Sequence, residues 1–439
     1  MRRVFRYFYC IVLTVILAGC SRNESVTLET TLTTVTPEET VTLEPTAVPE
    51  ETVTPEPTAI PEPTATPEPT ATPEPTATPE PTATPTPTAT PTPRPAVTLT
   101  MVGDILLHTR VEDYSVQENG SYNFDTIFSN TAERIAAADL ALVNQEVIIG
   151  GAEIGVSGYP AFNAPFEIGD ALVKAGFDIV LHGTNHALDR GRKGLMNCIN
   201  FWEENHPEIG VLGIHDSAQD QEELYIAEVN GIRIAVLNYT YGTNGIPMPD
   251  GMPFAVDMLK EASVIEDLQR AEAEADFTIV CPHWGTEYRL KPDNSQKRWA
   301  ELFLEYGVDL VLGTHPHVIE PIEWMTNEET GEQMLVYYSL GNYVNWTSES
   351  GAGIANRMIG GMADVTIELD EEGKAYIADY GVDAVVCHLE KKKNGITVYP
   401  LAEYTEELAQ NNAILSQDGN FSLEYCVDLC NQVWGELWK

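Results

Sequence analysis

The chain changes character abruptly at residue 95. From Glu29 to Pro95 it is mostly Thr, Pro, Glu and Ala, and from Pro55 it settles into a six-residue repeat of the form Pro-Glu-Pro-Thr-Ala-Thr. Proline at every second to fourth position removes backbone donors and fixes φ, so no core can be packed there. The segment reads as an extended, semi-rigid spacer that spans on the order of 200 Å when fully stretched, at about 3.1 Å per residue. A packed domain must therefore be built from residues 96 to 439.

From Ala96 onward short β-branched runs alternate with amphipathic stretches. Strands are expected at Val97 to Val102, Leu140 to Val143, Asp178 to Leu181, Ile209 to Leu212, Ile232 to Leu237, Phe277 to Val280, Asp309 to Leu312 and Leu335 to Tyr338. Helices are expected near Pro165 to Ala175, Gly194 to Glu203, Met258 to Ala275 and Ser295 to Tyr306. This alternation reads as a layered α/β domain. Asn230-Gly231, inside Tyr225 to Leu237, marks a hairpin, so part of the sheet is antiparallel or mixed. Met362 to Leu369 and Lys374 to Val386 read as sheet extension around the Asp370 to Gly373 turn, and a helix from about Ser422 to Trp434 closes the chain. Residues 96 to 439 are taken as one domain, because the motifs that carry chemistry are spread across residues 103 to 342.

Residues 1 to 20 read as an export signal. Arg2, Arg3 and Arg6 precede an apolar run from about Tyr7 to Leu17, too short for a comfortable membrane span. The run ends in Leu17-Ala18-Gly19-Cys20, which resembles a bacterial lipobox. Cys20 is thus the expected lipidation site, and its acyl chains would anchor residues 21 to 95 and the domain beyond them outside the cytoplasmic membrane. The other cysteines of the foldable part are Cys198, Cys281, Cys387, Cys426 and Cys430. This odd, sparse set makes no disulfide framework, so burial as small apolar residues is expected, with one pairing to Cys387 left open.

The formal net charge is −43, and residues 96 to 439 alone hold 55 acidic against 19 basic side chains. Nucleic acid is excluded as a partner, since each phosphate contact needs a cation. Seven of those bases fall just after two candidate motifs: Arg190, Arg192, Lys193, Arg289, Lys291, Lys297 and Arg298. In so acidic a domain this grouping points to an anionic ligand, a carboxylate or phosphate held by bidentate Arg contacts. Arg190, Arg289 and Gln296 are the candidates for that contact, with Tyr288 beside them.

Five expected strands are followed at once by residues that can bind metal. They are Gly103-Asp104, Asn144-Gln145-Glu146, His182-Gly183-Thr184-Asn185-His186, His283-Trp284-Gly285 and Gly313-Thr314-His315-Pro316-His317. Strand ends are where layered α/β folds place their sites. Two carboxylates, an amide oxygen and several imidazoles suit a borderline divalent ion such as Mn²⁺, Fe²⁺ or Zn²⁺ better than Ca²⁺ or Mg²⁺. In His315-Pro316-His317 the proline is expected to keep the preceding residue extended and so aim both rings at one point.

These motifs, together with Asp189, Glu287, Val318 and Ser339-Leu340-Gly341-Asn342, resemble the bacterial capsule synthesis protein CapA family, associated with poly-γ-glutamate capsules. The resemblance covers about residues 97 to 345. It implies a calcineurin-like metallophosphoesterase fold, a four-layer αββα sandwich with mixed sheets. It also implies Asp104, Glu146, Asn185, His283, His315 and His317 as metal ligands and His186 as general acid or base, with Asp189 fixing its tautomer. Glu287 joins the substrate-contact candidates as part of the same motif set. The sequence departs from the metallophosphoesterase pattern where an Asp-x-His opening is usual: Leu106 stands two after Asp104, and His108 stands four after it. One metal ion or two therefore remain open. The function implied is metal-dependent hydrolysis or transfer on an acidic envelope polymer, within a capsule-synthesis complex. The alternatives are a phosphoesterase acting on small phosphorylated molecules and a non-catalytic polymer-binding or assembly subunit.

Overall fold

The structure, a computed structural model, describes residues 95–391 and 395–438. The expected export signal, Cys20 and the proline-rich spacer lie outside the described residues. The strands are β1 Ala96–Ile105, β2 Leu140–Asn144, β3 Ile179–Leu181, β4 Gly210–Leu212, β5 Ile226–Val229, β6 Ile232–Thr240, β7 Phe277–His283, β8 Leu310–Leu312, β9 Ile322–Thr326, β10 Gln333–Tyr337, β11 Asn342–Val344, β12 Ile359–Leu369, β13 Ala375–Leu389 and β14 Ile396–Pro400.

They form two mixed sheets. The first runs β14-β13-β12-β1-β2-β3-β4, with β11 added to β1, and the second runs β5-β6-β7-β8-β10-β9. In the first sheet β1, β2, β3 and β4 are parallel, while β12, β13 and β14 continue it antiparallel. In the second, β6, β7, β8 and β10 are parallel between antiparallel edges. Asn230 and Gly231 both take the left-handed conformation, φ 52° and 83°, as the two-residue turn of the β5–β6 hairpin requires.

The two-residue period of a strand separates the faces of the second sheet. Ile234 and Val236 join Ile279, Leu310 and Leu312 in a cluster that includes Leu99 and Met101 of the first sheet. Their neighbours Ala235 and Leu237 join Val280, Val311 and Val336 in a separate cluster, with Leu268 and Phe303 from the helices Glu261–Glu274 and Asn294–Glu305. Helices Glu167–Ala175 and Gly191–Asn205 add Leu172, Leu195 and Trp202 to the first cluster. The order helix, sheet, sheet, helix is the expected four-layer sandwich. Each fully buried Leu or Ile contributes about 1.5–3 kcal/mol relative to an exposed one, so the sheets are held together chiefly by this shared cluster.

The eight expected strands, the two segments read as sheet extension and all five expected helices coincide with observed elements. Strands β9, β11 and β14 were not anticipated. Cys198, Cys281, Cys387, Cys426 and Cys430 are buried and free.

Candidate metal centre

The parallel strands of both sheets end at one place. Asp104 is the penultimate residue of β1, Glu146 lies two residues past β2, Asn185 and His186 just past β3, His283 at the end of β7, and His315 and His317 just past β8. Each is buried, with no side chain among them more than a few per cent exposed. Gly103 makes the first position possible: a Cβ there would stand 2.0 Å from the Gly341 carbonyl oxygen. With no side chain in the way, Asp104 N donates to that carbonyl at 2.9 Å, and Asp104 pairs with Asn342 of β11.

The carboxylate of Asp104 is held on both oxygens. Asn144 Nδ2 donates to Oδ1 at 2.8 Å, and the His315 backbone N donates to Oδ2 at 3.3 Å. His317 Nδ1 stands 3.3 Å from the same Oδ2 and 3.1 Å from Asn342 Oδ1. Across the centre, His283 Nε2 is 2.9 Å from Asn185 Oδ1 and 3.2 Å from His315 Nδ1, while its Nδ1 meets Thr314 Oγ1 at 3.0 Å.

Glu146 differs from these neighbours. Its carboxylate is fully buried, yet neither oxygen has a hydrogen-bond partner. Around Oε1 stand His283 Nε2 and His317 Nε2, both at 3.6 Å, and His186 Nε2 at 3.9 Å, all beyond hydrogen-bond length. A buried charge without hydrogen bonds costs several kcal/mol unless something else satisfies it. Glu146, His315 and His317 can each offer one ligand atom, all within 4.8 Å of one another. An orphaned carboxylate among imidazole nitrogens is the donor set of a borderline divalent cation, so the residues present fit such an ion.

The electrostatics follow the same geometry. Burial pushes Glu146 up, but the imidazoles of His317, His283 and His186 outweigh it and hold the carboxyl below the usual carboxylate range. Burial and then the Glu146 charge push Asp104 up. Burial alone would lower His317, yet Glu146 and Asp104 carry it up to about 9. His315 is held well below the usual imidazole range by burial and by the neighbouring His283 and His317.

His186 stands between two carboxylates. Its Nδ1 lies 2.7 Å from Asp189 Oδ2, and its Nε2 faces Glu146. Phe162 closes over it edge-on at 4.7 Å, and the Phe162 backbone N donates to Asp189 at 2.7 Å. His108 meets Phe162 edge-on, with ring centroids 5.2 Å apart, and makes no contact with a carboxylate of the centre at hydrogen-bond distance.

Three expectations need correction. His315 and His317 are not extended around Pro316: both are left-handed, with φ 98° and 58°. The strain of non-glycine residues in this region is offset by the contacts to Asp104 and Asn342, and it is this turn that points both rings at Glu146. Gln296 is no substrate contact, because it closes the capping box of helix Asn294–Glu305 with Asp293 and donates to Glu320 at 2.6 Å. Arg190 turns to the Ser157 hydroxyl and the Ala161 carbonyl, where it pins a loop. Arg289 is exposed and lies near the Asp293 charge. Glu287 is exposed, and its charge makes a small contribution to raising His317. Sequence reasoning gave no role to Asn144 and Asn342, although both stand inside motifs it singled out, and it passed over Arg357 altogether.

The family described as bacterial capsule synthesis protein PGA_cap matches residues 98–347. Capsule biosynthesis protein CapA of Bacillus anthracis is 28% identical over 268 residues, 57% of this chain and 61% of that protein. PGA biosynthesis protein CapA of Bacillus subtilis (strain 168) is 30% identical over 176 residues, 39% of this chain and 44% of that protein. The match therefore spans less than two thirds of the length of either curated relative. Among solved structures, a putative 5'-nucleotidase from Staphylococcus aureus in complex with alpha-ketoglutarate is similar at 16% identity and a TM-score of 0.43, over 70% of this chain and 54% of that one.

Proposed function

The chain belongs to the bacterial capsule synthesis protein PGA_cap family, and on that premise we propose that it performs metal-dependent hydrolysis or transfer on an acidic envelope polymer such as poly-γ-glutamate. Cys20 lipidation would hold it to the outer face of the cytoplasmic membrane, the proline-rich spacer would carry the domain outward, and a capsule-synthesis complex would be its setting. The observation that carries the reading is Glu146: a fully buried carboxylate, ringed by imidazoles, with both oxygens unpartnered.

Asp104, Glu146, Asn185, His283, His315 and His317 would hold the ion, whether Mn²⁺, Fe²⁺ or Zn²⁺. Bound there, a divalent cation supplies Lewis-acid polarisation of the attacked carbonyl or phosphoryl group. The chain supplies the rest. Asp189 accepts from His186 Nδ1–H at 2.7 Å, which fixes the ring and leaves Nε2 turned toward the centre. From there the ring can take a proton at Nε2 from the attacking water or hydroxyl and return it to the departing atom. Phe162 packs against the His186 ring, which is buried.

The full-length chain, purified without chelator, should hold stoichiometric Mn, Fe or Zn by elemental analysis, and Asp104→Ala and His317→Ala should each lose it. His186→Ala should keep the metal and the melting temperature but abolish turnover of poly-γ-glutamate or an aryl phosphate. Failure to hold any transition metal after reconstitution would sink the metal-dependent reading. Full turnover in His186→Ala would remove that histidine from the chemistry.

A further inference from the structure

Of the cations expected to recognise an anionic ligand, Arg190 is committed to its loop and Arg289 is exposed. Another stands beside the centre. Among the described residues Arg357 is the one Lys or Arg that is buried, at 8% exposed for the whole residue. It comes from the short 3-10 turn Ile354–Met358, which leads into β12.

Independent contacts tie it to the centre. Asn342 Nδ2 donates to the backbone carbonyls of both His317 and Arg357, at 3.0 and 2.9 Å, while Asn342 Oδ1 meets the His317 ring. The Arg357 guanidinium lies 3.5 Å over the ring centre of Tyr288, and that ring stands 5.9 Å from the ring of His317. Tyr288 itself is left-handed, at φ 66°, and its backbone N donates to the Pro316 carbonyl at 2.7 Å. The same turn that aims the two histidines therefore also sets the platform on which the guanidinium rests.

A buried guanidinium needs a counter-charge. Here it is Glu349, whose Oε2 lies 2.7 Å from Nη2, with Thr347 Oγ1 at 3.3 Å from Nη1. The pair is lopsided: the Arg357 side chain is 10% exposed and that of Glu349 is 62% exposed. A carboxylate reaching in from solvent is held weakly, since a long exposed side chain gives up entropy and hydration to stay there. A ligand oxyanion already fixed at the centre gives up neither.

We propose that Arg357 is the anion-recognising side chain of the centre, and that Glu349 competes with the substrate's carboxylate or phosphate for its guanidinium. The inference rests on the functional reading above for the nature of the ligand. In a domain of 55 acidic against 19 basic side chains, one shielded cation beside the reacting group gives an acidic polymer a local point of attachment within a repulsive field.

The test is calorimetric titration of the full-length chain with inorganic phosphate and, separately, with glutarate, in chelator-treated and Mn²⁺-loaded protein. Glu349→Gln should bind at least one of the two anions about 3-fold to 10-fold tighter than wild type, and Arg357→Gln about 10-fold or more weaker. Arg357→Lys should recover little, because an ammonium cannot reproduce the planar fork. Whichever anion responds identifies the oxyanion. Equal affinity across wild type, Glu349→Gln and Arg357→Gln overturns the proposal, as does failure of both anions to bind any of them. Should Arg357→Gln not fold by circular dichroism, Glu349→Gln decides alone. Anion affinity that depends on Arg357 in a chain unable to hold metal would sink the functional reading and leave this inference standing. Bound metal with an anion affinity indifferent to both residues would do the reverse.

Discussion

Single side chains set most of the chemistry of this domain, and their surroundings decide which way each one titrates. His215, just past β4, is a case away from the centre. Its Nδ1 lies 2.9 Å from Asp220 Oδ2 and its Nε2 lies 2.7 Å from Asp257 Oδ2, and Gln221 donates to the other oxygen of Asp257 at 2.8 Å. Burial opposes the charge, but hydrogen bonds to the two carboxylates, reinforced by their charges, raise the imidazole from its ordinary value of 6.5 to about 9. A raised folded-state value means that the stability it contributes is fully present below the unfolded value and is lost as pH climbs through the folded one. Denaturant midpoints should therefore fall between about pH 6.5 and 9 by an amount worth about 2 kcal/mol, discounted because Asp220 is half exposed to screening water. In His215→Gln that component should vanish, and an unchanged pH profile would refute the assignment. At this scale the sequence was uneven in what it disclosed. His186 and Asp189 could be paired on paper because three residues of loop suffice to bring them together. Arg357 could not, because its partners Tyr288 and Glu349 belong to other segments, and nothing in its own neighbourhood of sequence marks it as buried.

Elements explain why the donors converge. Where strands are parallel and their ends aligned, every residue just past a strand faces the same rim. β1 occupies the middle of the first sheet and β11 adds to it only because Gly103 lets the Gly341 carbonyl approach. Gly103→Ala should push these segments apart, cost about 1–3 kcal/mol as overpacking and release metal with little change in the far-ultraviolet spectrum. Full metal retention in that variant would show that the approach is not required. The long strands were legible because β-branched runs bounded by turn residues are a strong local signal. β11 has three residues, all buried, with no alternation to read, and β14 is an edge strand that ends in Pro400. The left-handed turn at His315 and His317 was misread for a related reason. Local rules favour an extended residue before proline, and only the contacts of Asp104 and Asn342, far away in sequence, reverse that preference.

For the whole molecule, the decisive fact is how far apart in the chain the donors lie. His315 and Asp104, in contact, are 211 residues apart, and His283 and Asn185 are 98 apart. Loops of that length close late, after local elements and the pairing of neighbouring strands. The centre cannot exist until both sheets have docked, so an ion has nothing to bind in the transition state for folding. Stopped-flow refolding of the full-length chain should show Mn²⁺ slowing unfolding while leaving the folding rate within about twofold, the signature of an interaction formed after the barrier. A folding rate that rises in step with added metal would place the centre early instead. A product with one strand out of register would still resemble the native domain in its secondary structure and would come off a purification column empty, so metal content is a gauge of topology before it is a measure of activity.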